Sequence, residues 1–193
     1  RDGVRLGYGV LLDAPQAGGR VRISVLRQGE RLEREVPMHP YAPIRRLGNR
    51  YDEAPRYYVY AGLVFVPLER EMLETFGDAW AFKAEKHLLY EFFTRFLREP
   101  ERILVEPVVL LRRLDHPVNA NTAWSRNLVV SRVNGRPIAG LAELIEAIET
   151  HEARHHLFEF DYFGQVIVLD REAADRAHGE ILERYGVHRD RRL

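Results

Sequence analysis

The sequence predicts an α+β fold: a partly open β-barrel or sandwich with two or more capping helices and a helical insertion, preceded by a partial β-hairpin. Three observations predict it. Short β-branched and aromatic runs recur between glycine turns, helix-period stretches lie between them, and a dense band of prolines sets an N-terminal hairpin apart. The most informative stretch is Val133-Asn134-Gly135-Arg136-Pro137-Ile138-Ala139-Gly140-Leu141. Asn-Gly closes a strand in a tight turn, Pro137 restricts the exit, and a helix-period run opens at Leu141.

In chain order, residues 6–12 carry two glycines and are ambiguous between short helix and strand. Residues 21–26 (VRISVL) and 32–36 (LEREV) flank the turn RQGER and read as a strand pair. From 37 to 55 the chain holds Pro37, Pro40, Pro43, Gly48, Asn49, Asp52 and Pro55, a connector composition. Residues 57–68 (YYVYAGLVFVPL) then read as two strands meeting at Ala61-Gly62. Between 69 and 99 the apolar residues fall three and four apart, so two helices are expected, broken near Gly77-Asp78 and stopped by Pro100.

Residues 103–111 (ILVEPVVLL) and 128–133 (LVVSRV) are the next strands, separated by a polar loop around Asn119 and Asn121. Leu141, Leu144, Ile145 and Ile148 trace one apolar stripe of a short helix. Residues 156–160 and 166–169 form a hairpin through Phe163-Gly164, an amphipathic helix covers 171–185, and a polar tail runs from 188 to 193. The division expected is therefore 1–40, the end of a preceding domain; 41–56, a linker; 57–170, the main domain with its insertion at 69–99; and 171–193, a terminal helix and tail.

Composition narrows function. With 193 residues, 46% of them hydrophobic, the chain can build a sizeable core. Lys plus Arg and Asp plus Glu both number 29, so no long-range field draws nucleic acid or an anionic membrane. The absence of cysteine removes disulfides, thiolate catalysis and Cys-ligated zinc. No run approaches the roughly 18 apolar residues that span a bilayer, and no signal-peptide order opens the chain. The expectation is a soluble protein whose compartment stays open, bacterial cytoplasm or periplasm alike, and whose opening without Met suggests a fragment of something longer.

Chemical motifs are sparse. His151-Glu152-Ala153-Arg154-His155 fits H-E-x-x-H, which on a helix would offer two imidazoles to zinc and a glutamate as base. It sits at the polar exit of a short helix, immediately before a strand, so a solvated helix end is the preferred reading and no metal or cofactor is expected. The three serines, Ser24, Ser125 and Ser131, lie in no nucleophile elbow, and neither a dinucleotide loop nor a phosphate loop exists. No catalytic residue is nominated. The aromatics of 76–96 are read as core.

What remains is Tyr60-Ala61-Gly62-Leu63-Val64-Phe65, a glycine-bearing loop opening a strand. Successive backbone N–H groups of such a loop can cradle a terminal carboxylate, the strand can take an extended peptide by β-augmentation, and the helix of Leu141, Leu144, Ile145 and Ile148 would wall the groove. At these residues the chain resembles the C-terminal PDZ region of HtrA/Deg-type serine proteases, the plant-type Deg branch and its bacterial relatives. YYVYAGLVFVPL resembles the opening of the second PDZ domain of that branch, LVVSRVNGRPIAGLAELIEAIE its strand and groove helix, and FEFDYFGQVIVLDREAA its closing hairpin and helix.

The resemblance implies a non-catalytic peptide-binding, regulatory and oligomerisation module of a parent serine endopeptidase. Its partners would be an extended peptide or protein C-terminus, the parent protease domain and further copies of itself. Residues 21–36 would close a preceding PDZ domain. Two alternatives stand beside it: a structural subunit-docking domain whose groove is filled by its own chain, and a zinc hydrolase using His151, Glu152 and His155.

Overall fold

The computed structural model describes residues 19–37, 49, 51–95, 98–99, 106–122 and 125–193. The expectation for residues 6–12, most of the 37–55 connector, and Phe96, Leu97 and Ile103 lie outside them. The chain divides into two units, Arg1–Pro43 and Ile44–Leu193. In the first, β1 (Arg20–Arg27) and β2 (Glu30–Pro37) pair antiparallel in full register around Gln28-Gly29. That is the strand pair expected.

Among the described residues of the second unit the strands are β3 (Tyr57–Tyr60), β4 (Leu63–Pro67), β5 (Val108–Arg113), β6 (Leu128–Val133), β7 (Arg136–Pro137), β8 (His155–Phe160), β9 (Val166–Asp170) and β10 (Arg191–Arg192). They form one sheet in the order β10-β3-β4-β5-β6-β8-β9, with β7 on β6, every pairing antiparallel. Its two ends do not pair with each other, so the sheet is open.

The sheet is covered on both faces along its centre, which explains the unbroken apolar run of β5. Successive side chains point to opposite faces. Val108 and Leu110, with Leu128 and Val130 of β6, enter the main core, whereas Val109 and Val129 enter a second core beneath the insertion. At the β8–β9 end only one face is covered: Ile167 and Leu169 are buried while Val166 and Val168 are exposed.

The insertion departs from the two helices expected. It forms α1 (Arg70–Glu74), α2 (Trp80–Lys83) and α3 (Lys86–Tyr90), the last running into a π-helical turn at Glu91–Arg95. Ala84 and Glu85 take extended conformations between α2 and α3, which the apolar spacing did not signal. Met72, Leu73, Ala84, Leu88 and Phe92 pack with Val109 and Val129 in one core. The aromatic reading holds only in part, because Phe82 is 92% exposed.

Of the strand expected at 103–111, residues 103–105 lie outside the described residues; β5 opens at Val108, after Pro107, and runs on to Arg113. The polar loop around Asn119 is a 3₁₀ segment, Pro117–Thr122, with Asn119 fully buried. Helix α4 (Leu141–Glu149) buries Leu141, Leu144, Ile145, Ala147 and Ile148. Each of the leucine and isoleucine side chains contributes about 1.5–3 kcal/mol relative to exposure. Helix α5 (Arg171–Arg184) begins at Asp170, whose carboxylate accepts from the Ala173 N–H at 3.0 Å.

Candidate functional site

Two turns organise the region around β3, β4 and α4. At the first, Ala61 (φ 47°) and Gly62 (φ 85°) reverse the chain so that Tyr60 faces Leu63, Val59 faces Val64 and Tyr58 faces Phe65. A positive φ at both central residues suits a two-residue hairpin. Glycine is required at the second: a Cβ on Gly62 would lie 2.4 Å from Nδ2 of Asn119 and 2.5 Å from the Leu114 carbonyl oxygen. Asn119 buckles the turn from outside, donating from Nδ2 to the carbonyls of Ala61 (2.8 Å) and Leu114 (2.9 Å) and accepting from the His116 N–H at 3.1 Å.

At the second turn, Asn134 (φ 53°) and Gly135 (φ 79°) close β6 onto β7. The Asn134 side chain donates to the Ala147 carbonyl of α4 at 2.8 Å and accepts from the Leu157 N–H at 2.9 Å. The Asn-Gly pair that marked this region therefore also pins the helix to β8. At the other end of α4, the carboxylate of Glu106 accepts from the Leu141 N–H at 3.2 Å, a favourable place for negative charge.

The structure brings the expected site residues together and fills the space between them. Ala61, Leu63 and Phe65 share one core with Leu141, Leu144, Ile145 and Ile148. All seven are buried; of the strand positions, only Val64 is half-buried, on the opposite face. The edges of β4 are also taken. β3 pairs along one and β5 along the other. Tyr58 and Tyr60 of β3 pack into the same core, in the place where an extended peptide between β4 and α4 was expected.

Around β3 lies a polar cluster that sequence reasoning missed. Tyr60 donates to Asp175 at 2.8 Å, and the Ala61 N–H donates to Nδ1 of His178 at 3.3 Å. Asp175 and His178 stand three apart on α5, a spacing that puts both on one helix face; this was the signal available. His156, 1% exposed, meets the Tyr60 ring edge-on at 5.1 Å and accepts from the Asn134 amide at 3.1 Å. Burial, with a smaller contribution from His151, lowers its pKa to about 4. Burial also lowers that of His178, against the attraction of Asp190 and Asp175. The Tyr58 and Tyr60 hydroxyls are raised, chiefly by burial.

The zinc alternative does not survive the geometry. Helix α4 ends at Glu149 and His155 opens β8, so His151 and His155 do not share a helical face; Nε2 of His151 instead lies 2.9 Å from the His155 carbonyl oxygen. Among the described residues no group of three His, Cys, Asp or Glu is placed to hold a metal ion. Ser24 accepts from Arg31 and Ser131 donates to the Glu159 carbonyl. No described helix is long and apolar enough to cross a membrane.

Comparison with known proteins agrees with the geometry. A family model described as PDZ domain matches residues 47–192. Protease Do-like 2, chloroplastic, of Arabidopsis thaliana is 28% identical over 195 residues, covering 99% of this chain and 30% of that protein. Protease Do-like 4, mitochondrial, of the same plant is 26% identical over 187 residues, covering 97% of this chain and 32% of that protein. The chain thus spans about a third of the length of these curated relatives. The relatives reported are plant proteins.

Proposed function

Because the chain belongs to the PDZ domain family, we propose that it serves as a non-catalytic interaction and regulatory module of a Do-like serine endopeptidase, docking preformed surfaces within the parent assembly. One observation carries this reading: β4, the strand expected to receive a peptide, is hydrogen-bonded along both edges by its own chain. The apolar stripe of α4 is spent on the core and is not available to line a groove. The self-occupied form of the module is therefore preferred to free peptide capture.

The test compares the parent protein with a version lacking residues 44–193, by analytical ultracentrifugation and by cleavage of an unfolded protein substrate. Loss of the module is expected to change the number of subunits in the assembly or the cleavage rate. Unchanged values in both would sink the proposal.

The second reading keeps Tyr60, Ala61, Gly62, Leu63, Val64 and Phe65, with Leu141, Leu144, Ile145 and Ile148, as a peptide site opened when β3 leaves. Membership of the PDZ domain family supports it. Titration of the chain with C-terminal peptides, read by amide chemical shifts, decides between them: movement confined to these residues favours capture, and none favours the filled trough.

A further inference from the structure

The outer edge of β3 carries β10, and what holds it there is almost wholly polar. Tyr58 pairs with Arg191 and Tyr57 with Arg192. The Val59 N–H donates to the Asp190 carbonyl at 2.7 Å, and the Tyr57 hydroxyl to the Arg189 carbonyl at 3.0 Å. The Arg191 guanidinium lies 5.1 Å from the centre of the Tyr58 ring, reaches Glu149 at the end of α4 at 2.5 Å and bonds Asp190 at 2.9 Å. Arg192 lies over Tyr57 at 5.9 Å.

No residue from 186 to 193 is fully buried. Residues 186–189 instead line a depression of about 570 Å³ together with Val59, Val64 and Leu114. A strand held this way is replaceable: it has two ladder positions, its ion pair is half-exposed and screened by salt, and little apolar surface holds it down. Beneath it is a ledge with the features an extended chain requires. There are backbone groups to pair, aromatic faces that suit a planar guanidinium better than an ammonium, and a carboxylate to meet it.

We propose that this ledge, the β3 edge with Tyr58 and Glu149, is a docking site for an extended, arginine-bearing segment of a partner protein, with residues 189–192 occupying it in cis as a displaceable strap. The inference rests on the reading of the chain as an interaction module and names the chemistry of its partner. A tethered strap competes at an effective concentration of roughly millimolar, so a partner must bind through a longer strand or more contacts.

The test uses a labelled peptide of sequence VHRDRRL, read by fluorescence anisotropy against the intact chain and a chain ending at Gly186. The shortened chain is expected to bind at least ten-fold more tightly than the intact one. Changing the peptide arginine that corresponds to Arg191 to alanine, which removes its ring contact and both ion pairs, is expected to weaken binding about ten-fold, and Glu149→Gln in the shortened chain about two- to five-fold. A folded shortened chain that fails to bind, equal binding by both chains, or indifference to the arginine would overturn the proposal.

Should the shortened chain not fold, Arg191→Ala in the intact chain is expected to speed hydrogen exchange of the Val59 amide at least ten-fold; unchanged protection overturns it. Concentration-dependent dimerisation of the intact chain through its own tail would also count against a strap held in cis. Failure here, with the parent assembly still altered by loss of residues 44–193, leaves the docking function standing.

Discussion

Nδ2 of Asn119 donates to the Ala61 carbonyl at 2.8 Å, joining two turns 58 residues apart in the chain. The same amide nitrogen lies where a side chain on Gly62 would have to go. The turn expected to cradle a ligand carboxylate is therefore locked from behind by a buried side chain.

Asn119→Ala leaves the Ala61 and Leu114 carbonyls without this donor in a buried place, and is expected to cost about 1–3 kcal/mol. Gly62→Ala adds a left-handed alanine and a clash with the Leu114 carbonyl oxygen, and should cost about 2 kcal/mol or more. Urea unfolding of both variants checks this. A bulkier residue at Gly62 would report on folding before it reported on binding.

His156 makes stability fall in mild acid. Its folded pKa, about 4, lies below the ordinary 6.5, so the unfolded chain takes up the proton first. The contribution is intact above about pH 6.5, declines as the pH falls, and levels off below about pH 4, with a span of about 3 kcal/mol. His178, lowered in the same direction, adds to the decline. Denaturant midpoints measured from pH 7.5 to 4 should drop, and His156→Gln should flatten the profile.

Glu91 is fully buried and pairs with Arg95 at 3.0 Å, while Arg95 also bonds Asp161 at 2.6 Å and Tyr162 donates to Glu91 at 2.9 Å. This network ties the π-helical turn to the β8–β9 turn. Glu91→Ala leaves the Tyr162 hydroxyl without its acceptor while Arg95 keeps Asp161 and Glu99, and a loss of about 1–3 kcal/mol is expected by chemical denaturation.

Leu144 is fully buried in the core shared by α4, β3 and β4. Leu144→Ala should cost about 2–5 kcal/mol. A calorimetric loss well under 1 kcal/mol would contradict the filled trough, because a wall residue of an open groove has less packing to lose.

Periodicity marked most elements of the second unit because burial imposes it locally. Leu141, Leu144, Ile145 and Ile148 form the buried stripe their spacing indicates, and Asn134-Gly135 turns the chain as its chemistry requires. The insertion was less legible. Its break at Ala84 and Glu85 carries no glycine or proline, and the residues on either side of it pack against Val109 and Val129 of distant strands.

Local pattern alone determined the α+β class, the two turns and the apolar faces of β4 and α4, since each depends on residues within a few positions of one another. Tertiary structure alone decided whether those faces enclose a groove. That outcome depends on contacts between segments remote in the chain: Leu63 and Phe65 pack in one core with Leu141, Leu144, Ile145 and Ile148, β5 takes the second edge of β4, and β10 pairs with the outer edge of β3.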